Sequence, residues 1–411
     1  MRNTATLAGG LVAAVRPLDP GQPWIPAWRA LGAASLVRNP FYEAGYALAA
    51  RDAFGAGVRL LIVADRSPEA PGARLIAAWP FRVSWRRWGL PLPLLMGWTH
   101  GYCPFGAPLL DRGDPAGALA GLLAAPRALG LPPRLLLPNA PAAGALADLL
   151  ADLPADRRVR RAAYWPHARG LLDLTARTPE ARATYLGHLS GQRRRKLRRA
   201  REVLEAEGPA AFEILEAPDD LAAALDAYVA LEAAGWKGRA GTGLGQRPEE
   251  VAFLRAALAD AGAEGGMRIA RLRRGERTLA AAILPVTGTE AWVLKIAHAE
   301  TQPEAAPGVQ LVHRLTEAVT AGAWAIDRID SCAPPDFALG STFWTERRDI
   351  AHLLVEAGRD PLFPAARALE RARERVARAR AARKREDPAR LTSRSGRSAP
   401  AAPASPPHPA P

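Results

Sequence analysis

Three stretches of this 411-residue chain gather side chains that could do chemistry. GWKGRAGTGLG, residues 235–245, sets a tryptophan, a lysine, an arginine and a threonine among five glycines, directly behind the helical run DDLAAALDAYVALEAAG. Glycine loses more backbone freedom on folding than any other residue, so such a loop is costly to order. It reads as a phosphate cradle, a substrate clamp, or a helix stop at Gly235 with a packing tryptophan behind it. ETQPEAAPGVQL, residues 300–311, joins the apolar run AWVLKIA to the helical pattern VQLVHRLTEAVTAGA. A glycine turn that opens a helix after a strand leaves N–H groups pointing outward, where the helix dipole favours an anion such as pyrophosphate. Taken alone, it is equally an ordinary strand-to-helix loop. RRRKLRRAR, residues 193–201, carries seven basic residues and no acid. Leu197, Ala200 and Leu204 fall on one helical face, so the basic residues occupy the others. They form either a solvated face or a surface for phosphate on a cofactor, a lipid or RNA.

Other chemistries lack their signatures. There is no GxxxxGK[ST], HExxH, GxSxG or early dinucleotide fingerprint, and the seven histidines are scattered. Cys103 and Cys332 form no CxxC, so no structural metal is expected. The basic run and residues 366–411 together hold fifteen net positive charges of a formal +14, so the remaining chain is near neutral. Aromatic interleaving, which single-strand binding favours, is absent, and no stable nucleic-acid partner is expected. The run and the tail suit peripheral contact with anionic surfaces. No apolar run reaches the roughly 18 residues of a membrane span. The N-terminus carries no secretory pattern and cysteine is sparse, which points to the cytoplasm.

The elements that must position these residues alternate between helix and strand. NPFYEAGYALAARDAFGAG reads as a helix, followed by the strands VRLLIVAD and ARLIAAWPFRV, helix DPAGALAGLLAAPRAL, strand RLLLPN and a strand around VRRAAYWPHARGLLDL. A second series follows: a helix through the basic run, strand AFEILE, two helices, the meander MRIARL, TLAAAILPVTG and AWVLKIA, a helix from 308, and strand AIDRIDS. The repeated order predicts two related α/β domains with a boundary near residue 168. A final Ala/Arg helix over 362–386 precedes a Pro/Ala/Ser tail from residue 387 that is expected to be disordered.

Several stretches resemble the GNAT acyltransferase superfamily, in the branch of Fem-like peptidyltransferases and cellulose-biosynthesis-type acyltransferases. They are RRRKLRRAREVLEAEG, LEAAGWKGRAGTGL, RTLAAAILPVTGTEAWVLKIAHAE, APGVQLVHRLTEAVTAGAWAIDRID, and Trp344 in STFWTERR. The resemblance covers residues 170–350; NPFYEAGYALAARDAF and LIAAWPFRV carry it more loosely into the first half. It implies two tandem GNAT-like domains with mixed central sheets flanked by helices: a degenerate one over 1–168 and an acyltransferase domain over 169–360. The basic helix over 361–386 and the tail over 387–411 follow. Where many members have a Gln/Arg-x-x-Gly-x-Gly/Ala pyrophosphate loop, this chain has PEAAPGVQL. The resemblance implies acyl-CoA as co-substrate near Lys295, Gly308, Val309 and Gln310. Trp236, Lys237, Arg239, Gly241 and Thr242 would line the acceptor, a small molecule or glycan. Asp330 and Glu232 are the candidate bases. Acyl transfer to an amine or hydroxyl, in polysaccharide or cell-envelope synthesis, is the implied activity. An aminoacyl-tRNA-dependent transferase and a non-catalytic scaffold for an anionic polymer are the alternatives.

Overall fold

The computed structural model describes residues 2–153, 160–260, 266–333 and 342–386. Along the chain these form β1 (Thr4–Thr6), β2 (Val12–Pro17), α1 (Ile25–Ala33), α2 (Ala44–Ala49), α3 (Arg51–Phe54), β3 (Arg59–Ala64), β4 (Leu75–Ser84), β5 (Leu94–Gly97) and β6 (Leu109–Leu110). Next come α4 (Pro115–Leu129), β7 (Arg134–Pro141), α5 (Ala145–Ala151), β8 (Arg161–Asp173), α6 (Pro179–Ala183), α7 (Gly191–Glu205), β9 (Ala211–Leu215), α8 (Pro218–Ala234), α9 (Trp236–Arg239) and α10 (Pro248–Ala259). The chain continues through β10 (Gly266–Arg274), β11 (Arg277–Thr287), β12 (Glu290–Trp292), β13 (Lys295–His298), α11 (Pro307–Thr320), β14 (Arg328–Asp330), β15 (Glu346–Glu356) and α12 (Phe363–Glu386).

Two compact units arise, one from residues 1–17, 57–167 and 349–411, the other from 18–56 and 168–348. The chain therefore changes unit near the expected boundary at 168, but the units are not the contiguous spans 1–168 and 169–360. Residues 18–56 join the second unit because their aromatic side chains pack there. Phe41 meets Trp292 edge-on at 5.4 Å, and Tyr46 and Phe54 both meet Phe253. The expected single helix over 39–57 is broken. Asn39 accepts from Phe41 N–H and starts a short 3-10 turn, and α2 and α3 follow as separate pieces.

In the first unit β2, β3, β4 and β5 form an antiparallel series; β7 then pairs parallel with β5 and antiparallel with β15. β3 is apolar almost throughout and buried from Leu60 to Ala64, as a strand covered on both faces must be. The basic C-terminal helix is not a detached element. Phe363 and Ala366 at its start are buried against Leu94, Leu136, Tyr164 and Leu354. Glu370 is fully buried and grips Arg87 at 2.8 and 2.9 Å while accepting from Trp88 at 2.7 Å. The tail expected to be disordered lies outside the described residues.

In the second unit the sheet runs β9, β10, β11, β12, β14, β8, with β13 also on β11. Alternate residues of β11, Ala280, Ala282, Leu284 and Val286, share one apolar cluster with Leu197 and Leu204 of α7 and Leu311, Val312 and Leu315 of α11. Strand alternation turns Ala281 and Ile283 to the opposite face, where α8 packs. Leu197, Ala200 and Leu204 are the buried side of α7, as their spacing requires. Trp344 is buried and donates to Thr316 at 3.0 Å, which makes it a brace for α11.

Candidate functional site

The parallel strands β12 and β14 run together from Glu290 opposite Arg328 to Trp292 opposite Asp330. Val293 N–H still donates to the Asp330 carbonyl at 2.8 Å, whereas Leu294 N–H turns to Ile283 on β11 at 3.0 Å. β13 continues against β11 and has no other strand partner among the described residues. The sheet therefore opens along one edge of β13. Just beyond lies the first turn of α11, entered through Ala306 in the left-handed region (φ 43°). Val309 and Gln310 both donate back to the Ala306 carbonyl. Gly308 N–H has no acceptor among the described residues. A side chain at Gly308 would begin 3.0 Å from His298 Cδ2, so glycine lets the end of β13 lie against this turn.

The residues expected to hold a donor do not all meet here. Gly308 stands in the first turn of α11 and is buried there. Val309 is half-buried and packs on the core of the unit. Gln310 is buried and donates to the Leu197 carbonyl at 2.8 Å, tethering α7 to α11. Lys295 groups instead with the 235–245 loop. Burial, and then the charge of Lys237, hold its ammonium below the ordinary lysine range against the pull of Glu232 and Glu250.

The loop is a built turn. Gly235 ends α8 in extended backbone (φ −88°, ψ −171°), so it is not a left-handed cap. Gly238 has a different reason to be glycine: a Cβ there would fall 1.8 Å from the Ala233 carbonyl oxygen, because α9 folds tightly back on α8. Gly241 lies at φ 69°, in the region that favours glycine. Thr242 N–H returns to the Lys237 carbonyl at 2.9 Å, and its hydroxyl to the same oxygen at 3.3 Å.

Two carboxylates pin this turn. Glu232, 7% exposed, accepts from Leu244 N–H at 2.7 Å and from the Lys237 ammonium, with the Tyr228 hydroxyl at 3.4 Å. Glu300 accepts from Trp236 N–H at 2.9 Å and from Arg239 at 2.6 Å. Burial raises the Glu300 carboxyl, but Arg239 and the Trp236 N–H prevail and hold it below the usual carboxylate range. Trp236 and Lys237 are half-buried, Thr242 is exposed, and the Arg239 side chain is 63% exposed.

Asp330 is itself fully buried and belongs to a mostly buried ion-pair network. Its Oδ1 is 2.8 Å from Arg169 and its Oδ2 3.0 Å from Arg348, which also pairs with Glu290. Cys332 N–H donates to Oδ1 at 2.8 Å. Both guanidiniums lie over the Trp292 ring, at 5.6 and 4.6 Å from its centre. The two arginines balance the two acids, as a buried cluster of charges requires. Both Asp330 oxygens and both Glu232 oxygens are thus engaged, which is the geometry of positioning residues.

The sequence reading missed Glu300, Arg169, Arg348, Glu290 and Glu43. Arg169 and Glu43 carried a usable signal: each is a lone charge in an apolar or aromatic run, ARGLL and NPFYEAGY. Such a residue must be paired if the run is buried.

Residues 191–334 match the family model described as Acetyltransferase (GNAT) domain. The chain thus carries a GNAT-type acetyltransferase domain, the domain of an acyl-transferring enzyme. Its structure is similar to that of FemX, with a TM-score of 0.51 and 10% identity over 80% of this chain and 95% of that one. It is also similar to the C-terminal domain (DUF2156) of a protein described as a lysylphosphatidylglycerol synthetase from Agrobacterium fabrum (TM-score 0.50, 14% identity, 81% of this chain and 91% of that one). A tandem GNAT protein from the clavulanic acid biosynthesis pathway matches with a TM-score of 0.39 and 13% identity over 85% of this chain and 99% of that one. At these identities the likeness concerns fold alone, and the last superposition is too loose to argue for a tandem arrangement. No curated protein matches the sequence. No helix among the described residues is long and apolar enough to cross a membrane.

Proposed function

We propose that the second unit moves an acyl group from acyl-CoA to the amine or hydroxyl of a small-molecule or glycan acceptor. One observation carries this reading: β12 and β14 part before β13, whose end lies against an α11 turn where Gly308 N–H has no acceptor among the described residues. The open edge of β13 suits an extended thioester arm, and the helix N-terminus suits the phosphates at its other end. A backbone N–H in the segment 291–297, which spans the end of β12 and most of β13, would donate to the thioester oxygen as negative charge gathers there. The acceptor nitrogen or oxygen bonds to the acyl carbon, the carbon–sulfur bond breaks, and the sulfur leaves as thiolate. An amine that enters neutral passes its proton to water after attack, and a hydroxyl passes its proton to the departing thiolate, so neither step needs a carboxylate beside it.

In this reading the 235–245 loop bounds the acceptor. Trp236 forms a wall, and Lys237, Gly241 and Thr242 hold the turn in shape. Arg239, the exposed cation, can exchange Glu300 for an anionic group on the acceptor. Glu232 and Asp330 act as positioning residues. Incubation with acetyl-CoA and a panel of amino and hydroxy compounds, amino sugars included, tests the proposal. Acceptor-dependent release of free thiol, with an acetyl mass increment on the acceptor, is the expected result. A folded protein that neither binds CoA nor releases thiol with any acceptor overturns it.

A further inference from the structure

The second unit also contains a cavity of about 360 Å³ that shares no lining residue with β13, α11 or the 235–245 loop. Its chemistry comes from three side chains. Arg29 grips Asp260 with both terminal nitrogens, at 2.7 and 2.9 Å. Glu43 accepts from the Thr287 hydroxyl with Oε1, and its other oxygen has no hydrogen-bond partner among the described residues. Two glycines make room for these carboxylates. A Cβ at Gly32 would lie 2.9 Å from Glu43 Cγ, and one at Gly45 would lie 1.7 Å from Asp260 Oδ2. The Arg29–Asp260 pair is neutral, so Glu43 is the lining group that adds a negative charge when it is ionised. Ala33, Ala44, Met267 and Val286 supply apolar wall.

We propose that this cavity binds a small organic amine, with its ammonium against the second oxygen of Glu43 and its hydrocarbon against Ala33, Met267 and Val286. The volume lies within the ~300–1,000 Å³ range of small-molecule sites, which pair mostly apolar walls with a few placed polar groups. The carboxyl is adapted to an arriving base. Burial pushes Glu43 up to about 7, with the Thr287 bond and the charge of Arg38 working against the rise. A neutral amine that enters takes the Glu43 proton, and the resulting ion pair forms beside the apolar wall. The charged groups around Glu43 are Arg38, Arg29 and Asp260. Glu43 is the one expected to titrate between pH 6 and 8.

Calorimetry on the full chain tests this with hexylamine as probe and hexanol as its uncharged match. At pH 8 hexylamine should bind at least about ten-fold tighter than hexanol, the range set by a charged hydrogen bond. Its affinity should fall several-fold at pH 6. Glu43→Gln retains an acceptor for Thr287 and should lose about ten-fold or more in hexylamine affinity. Ala33→Phe fills the cavity from its wall and should abolish binding of both probes, which keeps the test decisive if the first variant does not fold. Equal binding of amine and alcohol, or undiminished hexylamine binding in either folded variant, overturns the proposal. Acyl transfer need not change in these variants, so failure here is distinguishable from failure of the transferase reading.

Discussion

Glu232→Gln separates an anchor from a base. The change keeps the side-chain shape and removes its charge. Glu232 Oε2 takes Leu244 N–H at 2.7 Å while Oε1 takes the Lys237 ammonium. A glutamine oxygen can serve one of these donors, and its amide then faces the other. Losing one charged hydrogen bond costs roughly 1.5–3 kcal/mol. Glu232→Ala leaves both donors unserved in a mostly buried place and should cost roughly 3–5 kcal/mol. With a urea slope of about 2 kcal/mol per M, the Gln variant should lower the unfolding midpoint by about 1 M and the Ala variant by about 2 M. In acyl transfer the loosened loop should raise KM more than it lowers kcat. The opposite pattern would refute the anchoring role: an unchanged midpoint with kcat down by about 100-fold or more, the loss expected of a general base.

Gly238→Ala should destabilise by about 1–3 kcal/mol through overpacking, because its Cβ would overlap the Ala233 carbonyl; an unchanged melting temperature would show that the α8–α9 turn can open freely. Arg348→Met leaves Asp330 and Glu290 without their shared cation and should cost about 3–5 kcal/mol by denaturant titration, recovered in large part when Glu290→Gln is added, because Asp330 stays paired with Arg169. His352 should make the first unit acid-sensitive. Its Nδ1 accepts from Asn139 N–H at 3.0 Å, and burial, then Arg87, lowers its pKa to about 4. The folded unit therefore binds this proton less readily than the unfolded chain. The contribution is complete above pH ~6.5 and is lost as pH falls towards 4, in all about 3 kcal/mol. His352→Gln should flatten that part of the stability–pH curve, and an unaltered curve would contradict the assignment.

Much of the fold was legible because it is written in local periodicity. The basic run shows how: Leu197, Ala200 and Leu204 mark the buried face of α7 whatever the surrounding tertiary structure. Strands β3 and β4 and the β10–β11 hairpin were likewise readable as apolar runs between turn residues, whereas the expected single strand AWVLKIA is split into β12 and β13, because Val293 N–H stays with Asp330 while Leu294 N–H turns to Ile283. The partition into units was not legible, because it depends on contacts far apart in sequence. Phe41 on Trp292 and Tyr46 on Phe253 pull residues 18–56 away from the strands that follow them. The site divides the same way. The place of Gly308 at the start of a helix that follows a strand was recognisable. The engagement of Glu232, the pairing of Arg239 with Glu300 and the burial of Asp330 between two arginines depend on geometry that no spacing encodes. Gln310 is two residues from Gly308 yet faces α7, since two steps along a helix turn the side chain by about 200°.

Amide hydrogen exchange with and without CoA tests the placement of the donor most directly, because it reads the backbone groups on which the proposal depends. Binding at the parted strands should slow exchange within Val293–His298 and at Gly308, with little change in β3 or β4 of the first unit. Protection confined to other segments, or none at a CoA concentration that saturates the protein by calorimetry, would contradict it.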